Sequence, residues 1–139
     1  MHASGRWHHR GVPVVYAAGS AALAALEVLV HVDPAQAPSD FVLLGIEIAA
    51  HIDIETVSRS SLPSRWQTTP APSELQDLGT AWLRRGRTAV LQVPSALVPV
   101  GDNFLLNPRH RSARGLRVVS REPFAFDTRL LRGGSLAGR

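Results

Sequence analysis

Between Ser20 and His31 the chain runs SAALAALEVLVH, with one carboxylate, Glu27, among nine alanines, leucines and valines. Ser20 suits an N-cap, and the residues that follow are strong helix formers. Leu23, Leu26 and Val30 keep the spacing of a buried helix face. Ala22, Ala24, Ala25, Val28 and Leu29 extend the apolar surface most of the way round, which predicts burial on most sides. Such a helix demands a second layer to cover it. Glu27 shares the Leu23 face or its border. Taking an unpaired carboxylate out of water is costly, so a partner or a task is expected. The alternative, open on the helix alone, is a helix-edge glutamate that reaches water.

The flanking segments supply strands. VPVVYAA, residues 12–18, is β-branched and bounded by Gly11 and Gly19, and it predicts a strand. FVLLGIEIAAHIDIETV, residues 41–57, predicts one long strand or two short ones. Residues 60–73 carry three prolines and form a loop with Trp66 as anchor. ELQDLGTAWLRRG is an amphipathic helix with Leu75, Leu78 and Trp82 on one face and Gly86 as C-cap. TAVLQVP, residues 88–94, is a strand. SALVPVGDNFLLNPRH reads as irregular, with polar residues at its turns. LRVVSREPFAFD, residues 116–127, is a last strand, broken or bent near Pro123. The tail, residues 133–139, is read as disordered. Mixed strands and two helices argue α+β or α/β, and 139 residues suit one domain.

Composition narrows the function classes. No cysteine is present, so disulfide and thiolate–metal chemistry are excluded. No apolar run approaches the ~20 residues of a membrane span, and MHASGRWHHRG lacks the apolar stretch of a signal peptide. The reading is cytoplasmic. The net charge is +4, and all 15 basic residues are arginine. They are scattered, apart from small groups at Arg84, Arg85, Arg87 and at Arg109, Arg111, Arg114, without interleaved aromatics. A solvated basic surface is expected, not nucleic-acid binding.

Three motifs invite chemistry. His8 and His9 are adjacent, so in an extended segment they point to opposite sides, and no ligand partner sits at metal spacing. His51 and Asp53 could share a strand face, but two ligands define no site. No metal is expected. Ser95 follows a strand end in VPSALVP; it lacks the G-x-S-x-G elbow, and a serine capping the turn is the plainer reading. Asn103 and Asn107 bracket the apolar run FLL in DNFLLNP, as turn formers or as amides aimed at a ligand.

Taken in order, GRW, GVPVVYAAGSAALAALEVLVH, LPSRW, LGTAWL, VLQVPSALVPVGDNFLLNPRH and FAFDTRL resemble the RES domain family. The likeness runs from Gly5 to about Arg132. It implies a single compact α+β domain over residues 1–132, resembling the ADP-ribosyltransferase fold, with mixed and antiparallel sheets and a few helices. Members of this family are toxins of bacterial toxin–antitoxin pairs. They cleave the nicotinamide–ribose bond of NAD⁺, by hydrolysis or phosphorolysis, and are blocked by an antitoxin with an Xre-like helix-turn-helix domain.

By the resemblance, Arg6, Glu27 and Ser95 match the three residues that name the family. Tyr16 matches a pocket tyrosine, and Asn107 a pocket asparagine, with Asn103 the weaker candidate. Glu27 would stabilise positive charge on the ribose, and Arg6 would bind the diphosphate and could pair with Glu27 in the empty site. Tyr16 would stack on nicotinamide or close the pocket; Ser95 would hydrogen-bond substrate or orient the attacking water or phosphate. Trp66 and Trp82 are read as core or loop anchors. NAD⁺ is then a substrate, with inorganic phosphate as a co-substrate, and no cofactor is required. The expected partner is the antitoxin; a homodimer is left open. Two departures from the resemblance stand out: family members usually carry a further segment with a first strand before G-R-W, whereas Met1 stands four residues before Gly5, so a domain short at its N-terminus is the expectation, and WHHRG replaces a more usual asparagine-containing run. The alternative functions are an inactive relative that only binds an antitoxin-like partner, and ADP-ribosyl transfer to a macromolecule.

Overall fold

The structure, a computed structural model, describes residues 4–132. The expected tail, residues 133–139, lies outside the described residues. The architecture is α+β. A four-stranded sheet has the order β1 (Val15–Ala18), β5 (Asp102–Leu106), β4 (Val90–Pro94), β3 (Ile54–Thr56). The β1–β5 and β5–β4 pairs are antiparallel, and β4–β3 is parallel. A separate antiparallel ribbon joins β2 (Phe41–Ile48) to β6 (Leu116–Phe124). The helices are α1 (Ala21–Leu29) and α2 (Ser73–Arg85).

Side-chain alternation along β4 and β5 builds two cores on opposite faces of the sheet. Leu91, Val93 and Leu105 meet Leu75, Trp82 and Leu83 of α2, together with Trp7 and Trp66. Val90 and Leu106 point the other way, to Ile52 and to Ile46, Ile48 and Leu116 of the ribbon. A strand covered on both faces carries a nearly unbroken apolar run, as VLQV does. Trp66 and Trp82 are core residues, as expected, and Gly86 ends α2 at φ 62° in the left-handed conformation that glycine tolerates best.

Several expectations need correction. The first strand begins at Val15, and Val12 and Val14 pack against the α2 core instead of pairing. Of the two readings of residues 41–57, the pair of strands is the one found, and its members lie in different sheets. The stretch read as irregular contains β5, which lies between β1 and β4. Pro123 does not break β6: it pairs opposite Val42 on a ribbon edge, where a missing N–H is tolerated, and the irregularity falls between Gly45 and Ile46. In α1 only Leu23 is buried; Leu26, Val28 and Val30 are exposed. A cavity of about 690 Å³ lies between α1, the sheet and the ribbon, lined by Ala21, Ala24, Val28, Phe104 and Phe124.

The N-terminal segment is locked onto α2. Trp7 is buried and tilted against Trp66, with ring centroids 6.4 Å apart. Its carbonyl lies directly against Gly79, where any Cβ would overlap the oxygen. His9 N–H donates to Thr80 Oγ1 at 2.9 Å, and Gln76 Nε2 donates to the Gly5 carbonyl at 3.0 Å. Since the clash is with backbone on both sides, Gly79→Ala is expected to cost about 3 kcal/mol or more, at the upper end of overpacking effects. A urea unfolding curve gives that number.

Candidate functional site

Glu27 sits where three elements meet. Ser20 caps α1 by accepting the Leu23 N–H at 3.1 Å, and Gly19 N–H donates to the Asp102 carbonyl at 3.0 Å. Leu23 packs close to Gly101 in the turn that joins β4 to β5. One helical turn later, Glu27 falls on the same side, over the facing ends of β4 and β5. Its Oε1 accepts from Asn103 Nδ2 at 2.7 Å and from Ser95 Oγ at 3.1 Å. Oε2 takes no hydrogen bond among the described residues. The carboxylate is thus fixed from one side with one oxygen left over. The even choice posed by the helix resolves toward a carboxylate with partners.

Ser95 has no accessible surface. Its Oγ accepts N–H bonds from Leu97 and Val98, each at 3.1 Å, and gives its only proton to Glu27. A hydroxyl so occupied positions its neighbours; it is poorly placed to attack a substrate. Asn103 shares its sheet face with Ala18 and, two residues along β1, Tyr16. Its Oδ1 is buried and meets no donor among the described residues, while its Nδ2 already gives a proton to the carboxylate. Such an acceptor calls for a water or a ligand donor.

Tyr16 stands at the edge of this group. The residue is 42% exposed, but the hydroxyl turns inward, accepting the Trp7 N–H at 3.3 Å and lying 2.7 Å from His8 Nδ1. Burial of the hydroxyl pushes the Tyr16 pKa from 10.0 up to about 12, opposed by the Trp7 N–H and the Arg6 charge.

Arg6 differs from its expected pairing. Its guanidinium donates through Nη1 to the carbonyls of Trp66 at 2.9 Å and Thr68 at 3.0 Å, and through Nη2 to Thr69 Oγ1 at 3.3 Å. No ion pair joins it to Glu27 among the described residues. Loop oxygens hold the two terminal nitrogens of the guanidinium, and Ser95 with Asn103 hold one oxygen of the carboxylate. Gln67 Nε2 reaches the Ala96 carbonyl at 3.4 Å, which sets the Arg6-bound loop beside the Ser95 turn.

Asn107 also departs from expectation. Its Oδ1 accepts the Arg109 N–H at 3.0 Å, closing a local turn, and its own N–H donates to Ala89. Asn103 and Asn107 lie at opposite ends of β5, roughly 13 Å apart at strand rise. The two asparagines exchange ranks: Asn103 joins Glu27, and Asn107 is a turn former. His8, set aside with His9 as a metal candidate, touches the Tyr16 hydroxyl; only its nearness to Arg6 in sequence hinted at the site.

The chain has one tyrosine and no lysine, so Tyr16 alone among its side chains has its ordinary titration between pH 10 and 12. Tyrosinate absorbance should rise with a midpoint about 12 in the folded protein, against 10.0 for an unperturbed tyrosine. Because the unfolded state loses this proton first, its stabilising contribution is complete below pH 10 and is lost as pH rises through about 12. Thermal unfolding of Tyr16→Phe should lack that alkaline loss.

The RES domain family model matches residues 1–127. A protein named Toxin Res from Yersinia enterocolitica is 43% identical over 127 residues, which cover 91% of this chain and 83% of that relative. Toxin Res of Pseudomonas putida is 42% identical over 133 residues, 94% of this chain and 88% of the relative. A protein named Prs ADP-ribosylating toxin, from a Sphingobium species, is 37% identical over 130 residues, 92% and 81% of the two chains. The family-model match over residues 1–127, with relatives of this identity and coverage, places this chain in the RES domain family.

Proposed function

We propose that this protein is a toxin enzyme that consumes NAD⁺ by breaking the nicotinamide–ribose bond. The observation that carries the reading is Glu27, held through Oε1 by Ser95 and Asn103, with Oε2 left without a partner among the described residues. As the C1′–N bond breaks, its electron pair leaves with nicotinamide and positive charge develops on the ribose. A carboxylate fixed in place before the reaction stabilises that charge without reorganising. Water attacking C1′ and losing a proton gives ADP-ribose; inorganic phosphate gives the 1-phosphate instead. Asn103 Oδ1 offers an acceptor to a ribose hydroxyl or an ordered water. Arg6 Nε has no partner among the described residues and remains available to the diphosphate, while the exposed Tyr16 ring offers a face to nicotinamide. A helix-turn-helix antitoxin covering this site would silence it.

A second reading, transfer of ADP-ribose to a macromolecule, is favoured by the relative named an ADP-ribosylating toxin. One experiment separates the two. Purified protein is incubated with NAD⁺, with and without phosphate, and with candidate acceptor proteins from a bacterial extract. Free nicotinamide without labelled protein supports hydrolysis or phosphorolysis, and phosphate dependence names the acceptor; labelled protein supports transfer. Glu27→Gln should lower nicotinamide release by about a hundredfold or more. A folded wild type that releases none and labels nothing overturns the enzyme reading in favour of a partner-binding relative.

A further inference from the structure

The geometry points to His8 as a positioning residue that fixes the Tyr16 ring for substrate, an inference that rests on the NAD⁺ reading. His8 is 5% exposed, and its Nδ1 lies 2.7 Å from the Tyr16 hydroxyl, with the two rings 5.5 Å apart at 45°. The hydroxyl is enclosed by one short turn. Gly5 N–H donates to the His8 carbonyl at 3.1 Å, which folds residues 5–8 back on themselves. A Cβ on Gly5 would stand 2.6 Å from the hydroxyl and 3.1 Å from the His8 ring, so only glycine leaves room for the contact. The Trp7 N–H approaches the same oxygen at 3.3 Å.

The consequence is mechanical. A tyrosine on an edge strand has two free torsions, and an exposed ring samples several rotamers. Anchoring its far end fixes both torsions together. Of the two groups bonded to the hydroxyl among the described residues, His8 supplies the only side chain and the shorter bond. The turn that carries His8 also carries Arg6, so the guanidinium and the phenol ring are placed by the same four residues. The hydroxyl is committed to this cage, and Tyr16 therefore works through its ring face.

The test compares wild type with His8→Asn, His8→Phe, Tyr16→Phe and the double variant His8→Phe/Tyr16→Phe. Asparagine keeps polar atoms near the position of Nδ1; phenylalanine keeps the ring and removes the bond. A ring that meets substrate equally in ground and transition states acts on KM, so His8→Phe should raise KM for NAD⁺ about tenfold with kcat within about twofold. Tyr16→Phe should match it, the double variant should be no worse than either single one, and His8→Asn should restore most of the loss. Tyrosine labelled with ¹³C at Cζ gives one resonance from one residue. That resonance should move in His8→Phe and return in His8→Asn. Unchanged KM in His8→Phe, or a simple sum of effects in the double variant, overturns the proposal. If His8→Phe does not fold, unchanged KM in Tyr16→Phe overturns it equally. A wild type that leaves NAD⁺ intact defeats the NAD⁺ reading instead; the contact is then judged by the resonance, and an unmoved line in His8→Phe overturns it.

Discussion

The burial of Trp7 is the constraint on which the site depends. Among the described residues, the segment that carries Arg6 and His8 has no strand or helix of its own, only one isolated bridge between Gly5 and His8. What fixes it is a large aromatic side chain driven into the α2 core, with its backbone lying in the gap that Gly79 leaves. Removing a buried ring of that size typically costs about 3–5 kcal/mol, several times a single net hydrogen bond. The polar contacts of Arg6, His8 and His9 select one geometry once the ring is seated. They do not supply the attachment. An exposed pair such as His9 Nε2 with Asp77 Oδ1, 2.6 Å apart on the surface, adds little by comparison.

A second principle runs through the site: local hydrogen bonds satisfy each charged group separately. Glu27 is held by neutral donors from β5 and from the turn that follows β4, and Arg6 by neutral acceptors from one loop. Opposite charges paired directly would have to be separated before either could meet substrate. Neutral partners stabilise each charge and leave it electrostatically available. This arrangement suits a pocket that must receive both a diphosphate and a ribose on which positive charge develops.

Much of this was legible in the sequence, and the failures have physical causes. The α2 helix, its Gly86 cap and β4 follow from apolar spacing and glycine chemistry that act locally. The β5 strand escaped because only Phe104, Leu105 and Leu106 are apolar, while Asp102 and Asn103 resemble turn residues. Those same two polar residues lie at the end of the strand nearest Glu27, so the feature that hid the strand is part of the site. The α1 helix was read as buried nearly all round, because composition reports how apolar a surface is and not how much neighbouring chain covers it. The resemblance supplied Glu27 and Ser95, which meet, but the partners of Arg6 are backbone carbonyls, and every residue type has one. Choosing Asn103 over Asn107 required the register of β5 against β1 and β4.

The hydrogen bonding of Ser95 has one consequence for how such a protein would be detected. Fluorophosphonates and related reagents find enzymes by phosphonylating a serine oxygen that has a free lone pair and a base to take its proton. Here the oxygen already accepts two main-chain N–H groups and is sealed from solvent. A residue whose position beside Glu27 looks like that of a nucleophile would pass through serine-directed chemical profiling unlabelled, and the protein would be missing from any inventory built that way.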